Sequence, residues 1–150
     1  MSVGTEIKER RGISHSNIET LVSSRTGTLS LYSQLASKTP FNTDKPTQKL
    51  LMEFCESLID YTASAHFQLY RHIDEKMERR QNVQNIAQNV YPEIASITQK
   101  ILDFNDKYDC QDHCNNLNNL EGDLSVLGEL LADRIEMEDK VINELTISRV

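Results

Sequence analysis

Three side chains that bind metals or attack electrophiles fall within five residues: Cys110, His113 and Cys114, in the run CQDHC. On a helix, positions i, i+3 and i+4 share a face, and thiolate with imidazole suits zinc. A tetrahedral site needs a fourth ligand, which Asp109, Asp112 or a second chain would have to supply, and the spacing is not that of a finger pair. Exposed cysteines at a frayed helix end are the simpler reading. Nucleophilic Cys–His catalysis by the same residues lacks a pocket and oxyanion donors, because neighbours on one turn build neither. His66 and Glu138 form a second candidate set. A carboxylate-bridged metal bundle draws Glu-x-x-His pairs from two helices, and the chain contains no Glu-x-x-His. These two residues supply two ligands at most. A zinc- or iron-binding bundle with a sensing or storage role is the alternative reading; the first expectation is no cofactor, no metal and no turnover.

Composition narrows the partners. At 150 residues the chain fits one domain. The opening MSVGTEIKERRG lacks the apolar core of a signal peptide. No stretch approaches the roughly 18 apolar residues of a membrane span. Three cysteines are too few and too odd for a disulfide framework, so a cytoplasmic location is expected. Between Asp103 and Asp139 there are eleven acids and only two bases, Lys107 and Arg134, within a net charge of −7. Such a surface repels nucleic acid and attracts a basic partner. An acidic run also simply confers solubility, the commoner role.

These side chains are positioned by helices, since no window shows sustained strand alternation. Residues 1–15 read as a flexible arm and 16–150 as one bundle. A first helix is expected from a cap at Ser16 or Asn17 to about Ala36, with Ile18, Leu21, Val22, Leu29, Tyr32 and Leu35 at helical period and Gly27 weakening it. Asp44 caps the second helix, with Pro46 in its first turn. That helix meets no Gly or Pro until past Met77, so it is long, about 45 Å for thirty residues. QNVQNIAQNV, residues 81–90, reads as a short linking helix. Tyr91-Pro92 then opens a helix carrying Ile94, Ile97, Ile101, Phe104 and Tyr108. An Asn-rich turn region follows, and the last helix runs from near Asn119 to Ser148. The fold class is all-α: an antiparallel four-helix bundle with one long second helix and a short linking helix.

Two helices carry more than a core face. In the second, Leu51, Phe54, Cys55, Leu58, Thr62, Ala65, Leu69 and Ile73 form one stripe at 100° per residue. Asp60 and Phe67, seven apart, stack on the opposite side, with Ile59, Ala63, His66 and Tyr70 on the flank between. An aromatic there calls for a covering layer or a partner. In the last helix, Leu124, Leu127, Leu131, Ile135, Ile142 and Leu145 form the core stripe, and Val126, Leu130, Met137 and Val141 a second. Glu138 interrupts the core stripe. A buried carboxylate needs partners, for which His66 and Tyr70 are candidates, unless Glu138 lies at the edge and reaches water.

Two blocks together carry a resemblance. One is Phe54-Cys55-Glu56-Ser57-Leu58-Ile59-Asp60-Tyr61, followed by His66-Phe67 and Tyr70. The other is Arg134-Ile135-Glu136-Met137-Glu138-Asp139-Lys140-Val141-Ile142. With Tyr91-Pro92 between them, the chain resembles the Rsd/AlgQ family of sigma-factor regulators over about residues 16–148. The resemblance implies a non-catalytic helical bundle that binds the housekeeping sigma factor of bacterial RNA polymerase. It implies contact with the C-terminal domain that reads the −35 element, which is thereby kept from core polymerase and promoter DNA. Neither direct nucleic-acid binding nor membrane contact is implied, and the oligomeric state stays open. The family's sigma-contacting Asp falls on Asp60. With the helical wheel, this assigns Asp60, Tyr61, Ser64, Phe67, Tyr70 and Arg71 to a partner-binding face and leaves His66 and Glu138 as buried polar candidates. The chain departs from the family in having Ala63-Ser64-Ala65 where Ser-Ala-Gly is common, Arg71 where Glu is common, and no tryptophan.

Overall fold

Ser14 starts the first helix. Its hydroxyl accepts from the Asn17 amide at 3.2 Å, and the Asn17 side-chain oxygen accepts from the Ser14 amide at 2.8 Å, a reciprocal capping box. Helix α1 therefore spans His15–Ala36. The cap is not at Ser16 or Asn17 as expected, because Asn17 answers the cap from the third helical position. The computed structural model describes residues 13–41, 43–74, 80–108 and 117–147, with the backbone alone for 73, 74 and 147. Of the arm expected over residues 1–15, residues 1–12 lie outside what is described, as do the Ile73 side chain, Met77, Cys110, His113, Cys114 and Ser148. Ile13, placed in that arm by the sequence, is buried.

Helix α2, Lys45–Ala65, begins as its sequence requires: Asp44 accepts from the Thr47 amide at 2.8 Å and Pro46 sits in the first turn. It continues through a π turn, His66–Tyr70, into the short α3, Arg71–Asp74. In the π turn the Arg71 N–H reaches the His66 carbonyl, five residues back rather than four. Helix α4 is a single element, Gln81–Tyr108, so residues 81–90 are its first third and not a separate linking helix. Pro92 lies inside it and removes one backbone donor. The helix persists because Val83, Ala87, Ile94, Ile97, Ile101, Phe104 and Tyr108 keep one buried stripe on both sides of the proline. Helix α5 spans Leu120–Ile147.

Cross-helix contacts fix the directions. Between α1 and α2, Asn17 meets Gln68 and Thr28 meets Ser57, so the pair is antiparallel. Between α4 and α5, Asn82 meets Glu144, Arg134 meets Thr98, and Tyr108 and Lys107 meet Asp123. Between α2 and α4, Phe54 meets Phe104 and Tyr70 meets Tyr91. Chain order is therefore up-down-up-down, with α2 parallel to α5. Among the described residues there is no strand, and no helix is long and apolar enough to cross a membrane.

Candidate protein interface and the charged cluster behind it

On the core side of α2, Leu51, Phe54, Cys55, Leu58, Tyr61 and Ala65 are buried. On the outer side Asp60 is exposed, and Phe67, two turns on, is 54% exposed. Beside them runs an open groove of about 430 Å³. Ile59, Ala63, His66 and Phe67 form one wall, Tyr91, Ile94, Ala95 and Leu102 of α4 the other, and Tyr70, Thr98 and Arg134 also line it. The groove is concave and its lining is mostly apolar.

Behind the groove lies a charged cluster. Glu138 is fully buried and Arg134 is 1% exposed. Arg134 Nε donates to Glu138 Oε1 at 3.3 Å and its Nη1 to Thr98 Oγ1 at 2.9 Å. Tyr61 donates its hydroxyl to the same carboxylate, at 2.7 Å from Oε2. Arg25 of α1 lies 3.6 Å from that oxygen and donates to Asp139 at 3.0 Å. The Arg134 guanidinium stacks over two rings, 5.2 Å from the Tyr61 centroid and 5.6 Å from that of Tyr70. Burial, then the Glu138 charge, pushes both tyrosine hydroxyls well above their usual range. Burial opposes the charge on Arg134, but Tyr61, Tyr70 and Glu138 outweigh it, and its pKa is raised. Arg134 thus stays charged and both tyrosines stay neutral.

Several assignments made from the sequence change here. Tyr61 and Tyr70, expected on the partner-binding face, are buried. Tyr61 faces inward because position 61 lies beside 58 and 65 on the core side. Tyr70 faces inward because the π turn inserts an extra residue and rotates it off the flank. His66, expected as a buried polar group, is exposed and is not a partner of Glu138. Ser64 and Arg71 are half-buried, and the Ser64 hydroxyl is buried with no hydrogen-bond partner. In α5 the buried stripe is Leu120, Leu124, Leu127, Leu131, Arg134, Glu138, Val141 and Leu145, with Met137 also buried; Ile135 and Ile142 are only half-buried, and Val126 is exposed. Arg134 was missed as a core residue, although its i,i+4 spacing to Glu138 and its 3/4 spacing from Leu131 and Leu127 were visible. Among the described residues no group of three or more His, Cys, Asp or Glu is placed to hold a metal ion.

The fold is that of an all-helical bundle with a groove beside its second helix. The chain belongs to the Rsd/AlgQ family: residues 1–146 match the family described as regulator of RNA polymerase sigma(70) subunit, Rsd/AlgQ. It is 36% identical over 97 residues to the regulator of sigma D of Escherichia coli (strain K12 / DH10B), covering 63% of this chain and 60% of that protein. The same figures hold for the regulators of sigma D of Shigella boydii serotype 18 (strain CDC 3083-94 / BS512) and Shigella dysenteriae serotype 1 (strain Sd197). The matched stretch thus spans about three fifths of the length of these curated relatives. No solved structure gives a significant match.

Proposed function

We propose that this protein binds the housekeeping, sigma-70-type subunit of bacterial RNA polymerase through the Asp60–Phe67 face and holds its −35-reading C-terminal domain away from core polymerase and promoter DNA. It acts by binding alone, without turnover, in the cytoplasm. The observation that carries this reading is the pairing of an exposed carboxylate and an exposed aromatic on one outer helix face, at the rim of an apolar groove. A domain that grips DNA is basic, and the net charge of −7 suits it as a protein ligand.

Titration calorimetry against the isolated C-terminal sigma domain tests this. A one-to-one complex that weakens as salt rises is expected. Asp60→Ala should leave folding stability within roughly 0.5 kcal/mol, the usual range for a surface change. It should cost about 2 kcal/mol or more of binding if Asp60 pairs with a basic side chain of the partner. Phe67→Ala should behave alike. Leu58→Ala should instead cost about 2–5 kcal/mol of stability, because Leu58 is fully buried. No heat from the wild-type chain at low salt would sink the reading.

A further inference from the structure

Tyr70 lines the groove beside Phe67 while its ring is buried toward the core. Tyr61 and Tyr70 are nine residues apart. At 100° per residue a regular helix would set them about 180° apart, with Tyr70 on the flank beside Ile59, Ala63 and His66, where its ring would fill the groove. The π turn adds one residue to that stretch and takes away about one residue's rotation, which brings Tyr70 within about 80° of Tyr61. Both rings then reach the same guanidinium, at 5.2 and 5.6 Å. Arg134 in turn is fixed by Thr98 and Glu138. No local signal in HFQLY asks for a π turn, and the Tyr70 hydroxyl that it carries inward is buried with no hydrogen-bond partner. Something must compensate, and in this register the Tyr70 ring gains the stack on Arg134 beside its edge contact with Tyr91.

We propose that Arg134 is a positioning residue for partner binding: by holding Tyr70 inward across the π turn it keeps the groove open to the side chains of the bound sigma domain. Relaxation of His66–Tyr70 to a regular helix would swing the Tyr70 ring outward and close the groove. This rests on the reading of the Asp60–Phe67 face given above, with which the groove is continuous.

The test separates opening from folding. Arg134→Met combined with Glu138→Gln removes the cation without stranding a charge and leaves an acceptor for Tyr61. At matched folded fraction this variant should bind the sigma domain about tenfold more weakly than wild type or worse, the scale of a lost interface anchor. Deletion of Gln68 in the same background returns the segment to a regular helix with Tyr70 already inward, and should restore affinity to within about threefold of wild type. Loss of packing alone would not be rescued by removing a residue. If the double variant does not fold, Arg134→Lys gives the same reading, because it keeps the charge for Glu138 but not the flat face that stacks on two rings. A folded variant that binds as wild type, or a deletion that fails to restore binding, overturns the proposal and leaves the Asp60–Phe67 reading standing. Failure of the wild-type chain to bind overturns both.

Discussion

At the scale of single residues, the pair Arg134–Glu138 is the least ordinary feature of the bundle. Two ions out of water cost several kcal/mol each, and their attraction offsets this only with good geometry and further hydrogen bonds. Here Tyr61, Thr98 and Arg25 supply those bonds and charges. Removal of one ion is thus far worse than removal of both. Arg134→Met should cost about 3–5 kcal/mol in denaturant melts. Adding Glu138→Gln should return a large part of it, a coupling of about 1–3 kcal/mol in a double-mutant cycle. Additive losses would mean the two residues act independently. Half of this pair was legible beforehand. Glu138 stood out because it breaks an apolar stripe. Arg134 did not, because a stripe counted on apolar residues steps over a guanidinium to the neighbouring Ile135. Asp60 and Phe67 were read outward from spacing alone, whereas Tyr70 was misplaced by a register change that no residue type announces.

At the scale of helices, the legible parts are those written locally. Asp44 and Pro46 mark the start of α2 within four residues of sequence. The start of α1 and the continuity of α4 were misjudged for opposite reasons. Asn17 can serve as a cap or answer one, and only the geometry around Ser14 decides. Pro92 breaks a helix by propensity, about 3 kcal/mol, yet burial of the stripe on both sides of it prevails. Glycines inside helices give a test of the same balance. Gly27 lies in the exposed middle of α1 with nothing within 4 Å of an added methyl, so Gly27→Ala should stabilise by about 0.5–1 kcal/mol. A methyl on Gly128 would collide with the Tyr32 hydroxyl and stand 2.9 Å from Cζ. That ring would have to leave, and with it the 2.8 Å hydrogen bond to the Leu124 carbonyl that ties α1 to α5. Gly128→Ala should therefore lower the denaturation midpoint while Gly27→Ala raises it. Equal gains from both would mean that Tyr32 is not docked on α5.

At the scale of the whole molecule, an all-helical bundle followed from periodicity, and the antiparallel order from connections that are mostly short. The cluster that joins the four long helices was not legible, because it depends on which stripes face one another. That cluster makes stability depend on pH from the alkaline side. Burial raises the folded pKa of Tyr61 and Tyr70, and burial with the Asp123 bond raises that of Tyr108. Above pH ~10 the unfolded tyrosines lose protons that the folded ones keep, so stability falls by about 1.4 kcal/mol per pH unit for each. On the acid side, hydrogen bonds from Thr47 to Asp44, and from Lys107 and Tyr108 to Asp123, hold those carboxyls below their usual range. Their contribution is present above pH ~4 and is lost as pH falls through the lowered values. Urea midpoints from pH 8 to 10.5 should fall steeply only above ~9.5; a flat profile there would mean the three tyrosines ionise freely in the fold.

The meeting of all four long helices at Arg134 and Glu138 also has a consequence for descent. Apolar core positions such as Leu127 or Ile101 can be exchanged one at a time for others of similar size. The charged pair tolerates fewer single steps: a change that keeps the charge, such as Arg134→Lys, leaves Glu138 compensated, whereas neutralising one partner leaves the other buried with much of its compensation gone. A lineage carrying this bundle is thus expected to keep opposite charges at both positions or to lose both together, and the rings that lean on them, Tyr61 and Tyr70, inherit the same constraint.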